Sequence, residues 1–299
     1  MEHPKDGLSL QERYGHLFSR LAQLSRAPAR IDESNVYEEG NSGTRKMIDA
    51  LVEENLLPGS RLEGREHFAE FCEQTRAGKR GLLLAEHYSN LDLPLIFYLL
   101  EHDTGNFGGE LARRLVAISG LKLNEENHLV RAYTEAFTRI VIYPSRGLAS
   151  VTDPEEINRG KKINMAAMRA MDAARRNRQV IAVFPSGTRY RPGRPETKQG
   201  VREIDSYLRI FDIMILVSIN GSCLRISSGD PENMLADMVF RDKIIVASSP
   251  VIECRPFRKS IVETIDSSSG VDPKQETVNR VMELLEAQHI HYEAVRAAE

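Results

Sequence analysis

Residues 81–100 read GLLLAEHYSNLDLPLIFYLL. The run GLLLAEH (81–87) is short and apolar, which predicts a buried strand closed by His87. LDLPLIFYLLEH (91–102) follows Ser89-Asn90 and predicts a helix opened by Asp92. A strand, a tight turn and a helix in this order are a unit of an α/β fold.

The same kind of apolar run recurs along the chain. LVAISGLKL (115–123), TRIVIYP (138–144), QVIAVFP (179–185), DIMILVSIN (212–220) and KIIVASSPVIE (243–253) all predict strands. Segments of mixed polarity, residues 158–177 and 274–296, separate some of them and predict helices. The fold class is therefore α/β, with a mixed, largely buried sheet flanked by helices. Upstream, residues 11–26, 41–57 and 64–78 place apolar side chains at helical spacing. They predict a small N-terminal helical domain over 1–78, followed by an α/β domain over 79–299. The stretch from Ser267 to Gly270 reads as a flexible link.

Composition bounds the function. The chain has 299 residues, 41% hydrophobic and 28% charged, enough for one large domain or a large and a small one. No window holds the roughly 18 uninterrupted apolar residues of a membrane span, and the N-terminus lacks the apolar core of a secretory signal. Cys72, Cys223 and Cys254 lie far apart without zinc spacing. They predict reduced thiols in a cytoplasmic protein, with no metal and no cofactor. Net charge is −3, yet twelve Lys or Arg against two acids fall between Arg159 and Arg202. That excess predicts an anionic partner; a solvated basic face is the ordinary alternative.

Three strand ends carry candidate chemistry. At the first, His87 and Asp92 face each other across the turn. A carboxylate that fixes one ring nitrogen leaves the other able to accept a proton from a hydroxyl. An ordinary reading is also open, in which Ser89 or Asn90 caps the helix and His87 is a satisfied buried histidine. The second is VFPSGTRYRPGRPE (183–196), where a Ser186-Gly187-Thr188 turn precedes Arg189, Arg191 and Arg194. Arginine forks suit phosphate, and turn N–H groups suit a developing oxyanion. Ser186 lacks the Gly-x-Ser-x-Gly setting of a hydrolase nucleophile and reads as a turn residue. The third is RIVIYPSRG (139–147), which offers Arg146. Binding groups in α/β sheets gather at such strand ends.

Together, HYSNLD, IVIYPSRG and FPSGTRYRP resemble the sequence blocks of the glycerolipid acyltransferase superfamily, in the same order, over about residues 80 to 220. Within it, the chain is most similar to the soluble, plastid-type glycerol-3-phosphate acyltransferases. The resemblance rests on Ser186 in FPSG, on YPSRGLASVTDPEEINRGKKINMAAMRAM, and on the polar helical first 78 residues. It implies His87 as general base, Asp92 as its orienting partner, and Arg146, Arg189 and Arg191 as phosphate ligands. The chain departs from the pattern in three places. Gly147 follows Arg146, ILVSING lacks a proline after its strand, and Thr188 stands where the plastid enzymes have Gly.

The reaction implied is acyl transfer from acyl-CoA or acyl carrier protein to the sn-1 hydroxyl of glycerol 3-phosphate, with no covalent intermediate. Peripheral membrane contact is a further expectation. Arg194, Lys198 and the basic residues of 158–178 are candidates for the donor-facing surface. A lysophosphatidate acyltransferase is the alternative; against it stand the absence of Trp and of a Lys/Arg-rich interfacial helix. A nucleic-acid-binding protein is disfavoured, because residues 159–202 hold only Phe184 and Tyr190 as aromatics.

Overall fold

A computed structural model describes residues 6–125, 127–266 and 270–299. Ser267 to Ser269 of the expected link lie outside the described residues. The strands are β1 (Leu8–Ser9), β2 (Tyr37–Glu38), β3 (Arg61–Glu63), β4 (Gly81–Ala85), β5 (Leu115–Gly120), β6 (Arg139–Ile142), β7 (Val180–Val183), β8 (Ile213–Asn220), β9 (Leu224–Arg225), β10 (Met238–Val239), β11 (Ile245–Ser248) and β12 (Ile252–Glu253).

Nine of these strands form one mixed sheet in the order β2-β6-β5-β7-β4-β8-β11-β3, with β12 paired to β8. Its centre, β6 through β8, is parallel. Both faces of the centre are covered, so its strands read as mainly apolar runs. Within β4, Leu82 and Leu84 join one hydrophobic cluster, while Leu83 and Ala85 join the other. Leu82, Leu83 and Leu84 are at most 1% exposed. Burying each stabilises the fold by about 1.5–3 kcal/mol.

The expected strand over 243–253 is two strands. Pro250 has no N–H to give a ladder, and the chain breaks there between β11 and β12 while both keep pairing to β8. The helices of the first 78 residues are Leu10–Leu24, Ser42–Asn55 and Arg65–Arg76. Ser9 starts the first with a capping box: its hydroxyl accepts from the Glu12 N–H, and the Glu12 carboxylate accepts from the Ser9 N–H. Asn41 caps the second through the N–H of Gly43. Tyr14, Ile48, Val52, Phe68 and Phe71 pack in the same cluster as Leu83 and Val217. β2 and β3 extend the two ends of the sheet. The region expected as a separate helical domain therefore shares one core with the sheet. No helix among the described residues is long and apolar enough to cross a membrane.

Candidate active site

β4, β5, β6 and β7 are adjacent and parallel, so their carboxyl ends share one edge of the sheet. A cavity of about 620 Å³ lies there. His87 beyond β4, Gly120 of β5, Tyr143 to Arg146 beyond β6, and Phe184 with Ser186 to Thr188 beyond β7 all line it. Most of the remaining wall is apolar, including Leu21, Leu93, Phe137, Ile142 and Met171. Volume and lining are those of a pre-formed ligand site.

His87 and Asp92 meet as the sequence reading expected. His87 Nδ1 lies 2.9 Å from Asp92 Oδ2. That oxygen also accepts from the backbone N–H of Tyr88 at 2.6 Å and of Ser89 at 2.8 Å. Asp92 Oδ1 accepts from the Ser89 hydroxyl at 2.9 Å. A carboxylate only accepts, so these four bonds fix Nδ1 as the protonated nitrogen. Asp92 also opens the helix Asp92–Glu101, whose N-terminus favours its negative charge. Ser89 does not cap that helix by itself; it braces Asp92. The His87 ring stacks on Phe184, with centroids 4.1 Å apart and planes 12° apart. The His87 carbonyl accepts from the Tyr190 N–H at 2.7 Å. Ring and backbone are thus clamped between two strand ends, and Nε2 has no protein partner among the described residues.

The Ser186-Gly187-Thr188 turn is tight. The Gly187 N–H donates to the Phe184 carbonyl at 2.9 Å, and the Ser186 hydroxyl donates to the Thr188 carbonyl at 2.7 Å. Gly187 sits at φ +66°, where a side chain would be strained. The Gly187 N–H is therefore engaged within the turn. The N–H groups of Ser186 and Thr188 make no hydrogen bond among the described residues and remain available.

The three expected phosphate ligands part company. Arg146 is exposed and lines the cavity. Arg189 is buried, and its guanidinium pairs with Asp237, which is 0% exposed. Its fork is engaged inside the protein because the chain's own carboxylate reaches it first. Arg191 pairs with Glu232 at 2.8 Å, outside the cavity lining. Most cations between Arg159 and Arg202 are paired too: Arg159 with Glu125 and Glu156, Arg175 and Arg176 with Asp172, Lys198 with Glu286, and Arg202 with Asp272. Several of those acids lie far away in sequence, so the local excess of positive charge is largely neutralised.

No protein-family model matches this chain, and no curated protein is significantly similar to it.

One cluster escaped the sequence reading. Glu86, next to His87, is buried. Its Oε2 lies 2.9 Å from His289 Nδ1 and accepts from the Ile219 N–H at 3.1 Å. Its Oε1 accepts from the Tyr88 hydroxyl at 3.2 Å. His289 lies 203 positions away, on the helix Pro273–Ala297, so no local pattern announces the pair. Burial pushes the Glu86 carboxyl above its usual range. For His289, burial works to lower the pKa, but the hydrogen bond and charge of Glu86, with Glu293, outweigh it and raise it. Lys198 opposes that rise weakly. Both groups hold their protons more tightly in the folded state. The folded state thus binds more protons, and stability falls as pH rises through the histidine range. Urea unfolding is expected to show stability declining between about pH 6 and pH 8, with a flatter slope in Glu86→Gln/His289→Gln, where both titrating groups are gone. An unchanged slope in that variant would assign the proton to another group.

Proposed function

We propose that the protein transfers a fatty acyl group from a thioester, acyl-CoA or acyl carrier protein, to the sn-1 hydroxyl of glycerol 3-phosphate. The observation that carries this reading is His87. Its Nδ1 is locked by Asp92, and it lines a large apolar cavity. A tautomer-locked imidazole beside an apolar cavity suits deprotonation of a hydroxyl next to a bound acyl chain. His87 Nε2 takes the hydroxyl proton while the oxygen attacks the thioester carbonyl. Asp92 stabilises the imidazolium. The C–S bond then breaks, and the departing thiolate takes the proton back from His87. The N–H groups of Ser186 and Thr188 are the available donors for the carbonyl oxygen.

Arg146 is the phosphate ligand in this reading, being the exposed cation on the cavity wall. A charge-assisted bond of this kind contributes about 1.5–3 kcal/mol. Arg146→Ala is therefore expected to raise KM for glycerol 3-phosphate by about ten- to a hundred-fold while leaving KM for the donor near wild type. Equal rises in both would move Arg146 to the donor side.

A lysophosphatidate acceptor is the second reading, and one observation favours it. Met168 and Ile210, both on the cavity lining, are exposed apolar side chains. Turnover of glycerol 3-phosphate and of lysophosphatidate with one acyl donor, without vesicles and then with them, separates the two. Product from glycerol 3-phosphate in the absence of lipid supports the first reading; acylation of lysophosphatidate alone replaces it with the second.

A further inference from the structure

The large exposed apolar side chains among the described residues include Met165 at 57%, Met168 at 67% and Ile210 at 41%. They are not scattered. Met165 and Met168 stand one turn apart on the helix Pro154–Arg176. Met168 and Ile210 line the cavity together, along with exposed Ser145, Arg146, Glu203 and Ser206. The cavity therefore opens between this helix and the helix Ile204–Ile210, and exposed apolar side chains stand among the polar ones on its rim.

Around that rim stand cations the fold has not neutralised. Arg146, Lys161, Arg169 and Arg209 are exposed, and none lies within ion-pair distance of a carboxylate among the described residues. Lys161 precedes Met165 by one helical turn, and Arg169 follows it by one. Arg209 is next to Ile210 and also lines a surface groove with Arg255, Arg258 and Lys259. Two members of that groove are partly compensated, Arg258 by Asp205 and Lys259 by Glu263. Glu203 is the acid on the rim, and it accepts a hydrogen bond from Ser145.

We infer that this rim is a docking surface for an anionic lipid bilayer. Met165, Met168 and Ile210 would enter the interface, and Lys161, Arg169 and Arg209 would meet the headgroups. Unbranched methionines are adaptable enough to pack among acyl chains. Cations ringing an apolar patch are the combination that binds an anionic interface. This inference deepens the acyl-transfer reading: an acyl-bearing molecule would pass between the cavity and the bilayer without its chain crossing water. A second consequence is that the interfacial element is assembled from two helices distant in sequence.

The test is co-sedimentation of the full chain with vesicles of phosphatidylcholine alone, and of phosphatidylcholine with about one-third phosphatidylglycerol. Three proteins are compared: wild type, Met165→Asp, and the pair Arg169→Glu/Arg209→Glu. None of the changed residues lines the cavity. Wild type is expected to bind the anionic vesicles, more weakly as salt rises. Each lost cation should weaken binding about five-fold, and each charge reversal more. Met165→Asp should bind at least about ten-fold more weakly. Thermal unfolding should match wild type in both variants, and Met165→Asp should also transfer acyl groups between water-soluble substrates at the wild-type rate. Absence of vesicle binding by the wild type overturns the inference, as does equal binding to neutral vesicles that neither variant alters. So does a rise in KM for acyl carrier protein without any vesicle binding, which would make the rim a protein-docking face. Vesicle binding is read without turnover, so failure of the proposed reaction would not be mistaken for failure of the surface.

Discussion

His87→Ala is expected to lower kcat by about 10²- to 10⁴-fold while leaving thermal unfolding close to wild type. The expectation rests on two features. His87 is only partly exposed, but it sits at the end of β4 beyond the last ladder bonds, so removing its ring opens space at the cavity wall and not in the sheet. Its Nε2 is also the nitrogen left available once Asp92 has fixed Nδ1. Asp92→Asn should slow turnover as well. An amide places a donor among four groups that all donate to it, and it can hold the wrong tautomer of His87. Because Asp92 is buried and braces the turn, this variant should also lose stability. Initial rates with a thioester donor and glycerol 3-phosphate, alongside a melting curve, check both variants. A folded His87→Ala protein that keeps more than about a third of wild-type kcat removes His87 from the chemistry.

Arg189→Ala is expected to destabilise the fold by about 3–5 kcal/mol, an effect on folding before any effect on substrate. Arg189 is buried, and its partner Asp237 is 0% exposed. Removing the guanidinium takes the main countercharge from a buried carboxylate and leaves it the Ser227 backbone bond and the smaller pull of Arg191. Burial already pushes the Asp237 carboxyl up, against the pull of Arg189. Without Arg189 it rises further, so the folded variant binds an extra proton. The loss of stability should therefore be larger at about pH 8 than at about pH 5, where the carboxyl takes up its proton more readily. Removing both charges in Arg189→Ala/Asp237→Ala should cost less than Arg189→Ala alone, because no buried charge is then left unpaired. Urea midpoints for the three proteins at both pH values decide it. An Arg189→Ala protein with a wild-type midpoint and a raised KM for the phosphate acceptor would return Arg189 to the substrate.

The two expectations sit on neighbouring turns and act on different links. His87 is proposed to act on the reaction, through a nitrogen without a protein partner among the described residues. Arg189 works on the scaffold, by anchoring the turn that carries Ser186 and Thr188 to the Asp237 segment. Of the three arginines to which the motif gave a phosphate role, only Arg146 lines the cavity, and the role is proposed for it.

The sequence alone determined the strands and the pairing of His87 with Asp92. Mainly apolar runs marked β4 to β8 because a strand buried on both faces admits few polar residues, each of which needs a partner. His87 and Asp92 were legible because they are five positions apart, and a single turn brings them together whatever the rest of the chain does. Strand order was not legible. A run that is apolar throughout carries no mark of its neighbours, so only packing of the whole chain put β7 between β4 and β5. That insertion set Phe184 against the His87 ring and bound the Tyr190 N–H to the His87 carbonyl. Charge followed the same division. The sequence counted the cations between Arg159 and Arg202, but their partners Glu125, Glu232, Asp237, Glu286 and Asp272 come from other parts of the chain. A Coulomb interaction depends on distance in space, and a sequence window does not contain that distance. Tertiary structure therefore decided which cations were consumed by the fold and which, at Arg146, Lys161, Arg169 and Arg209, were left facing outward.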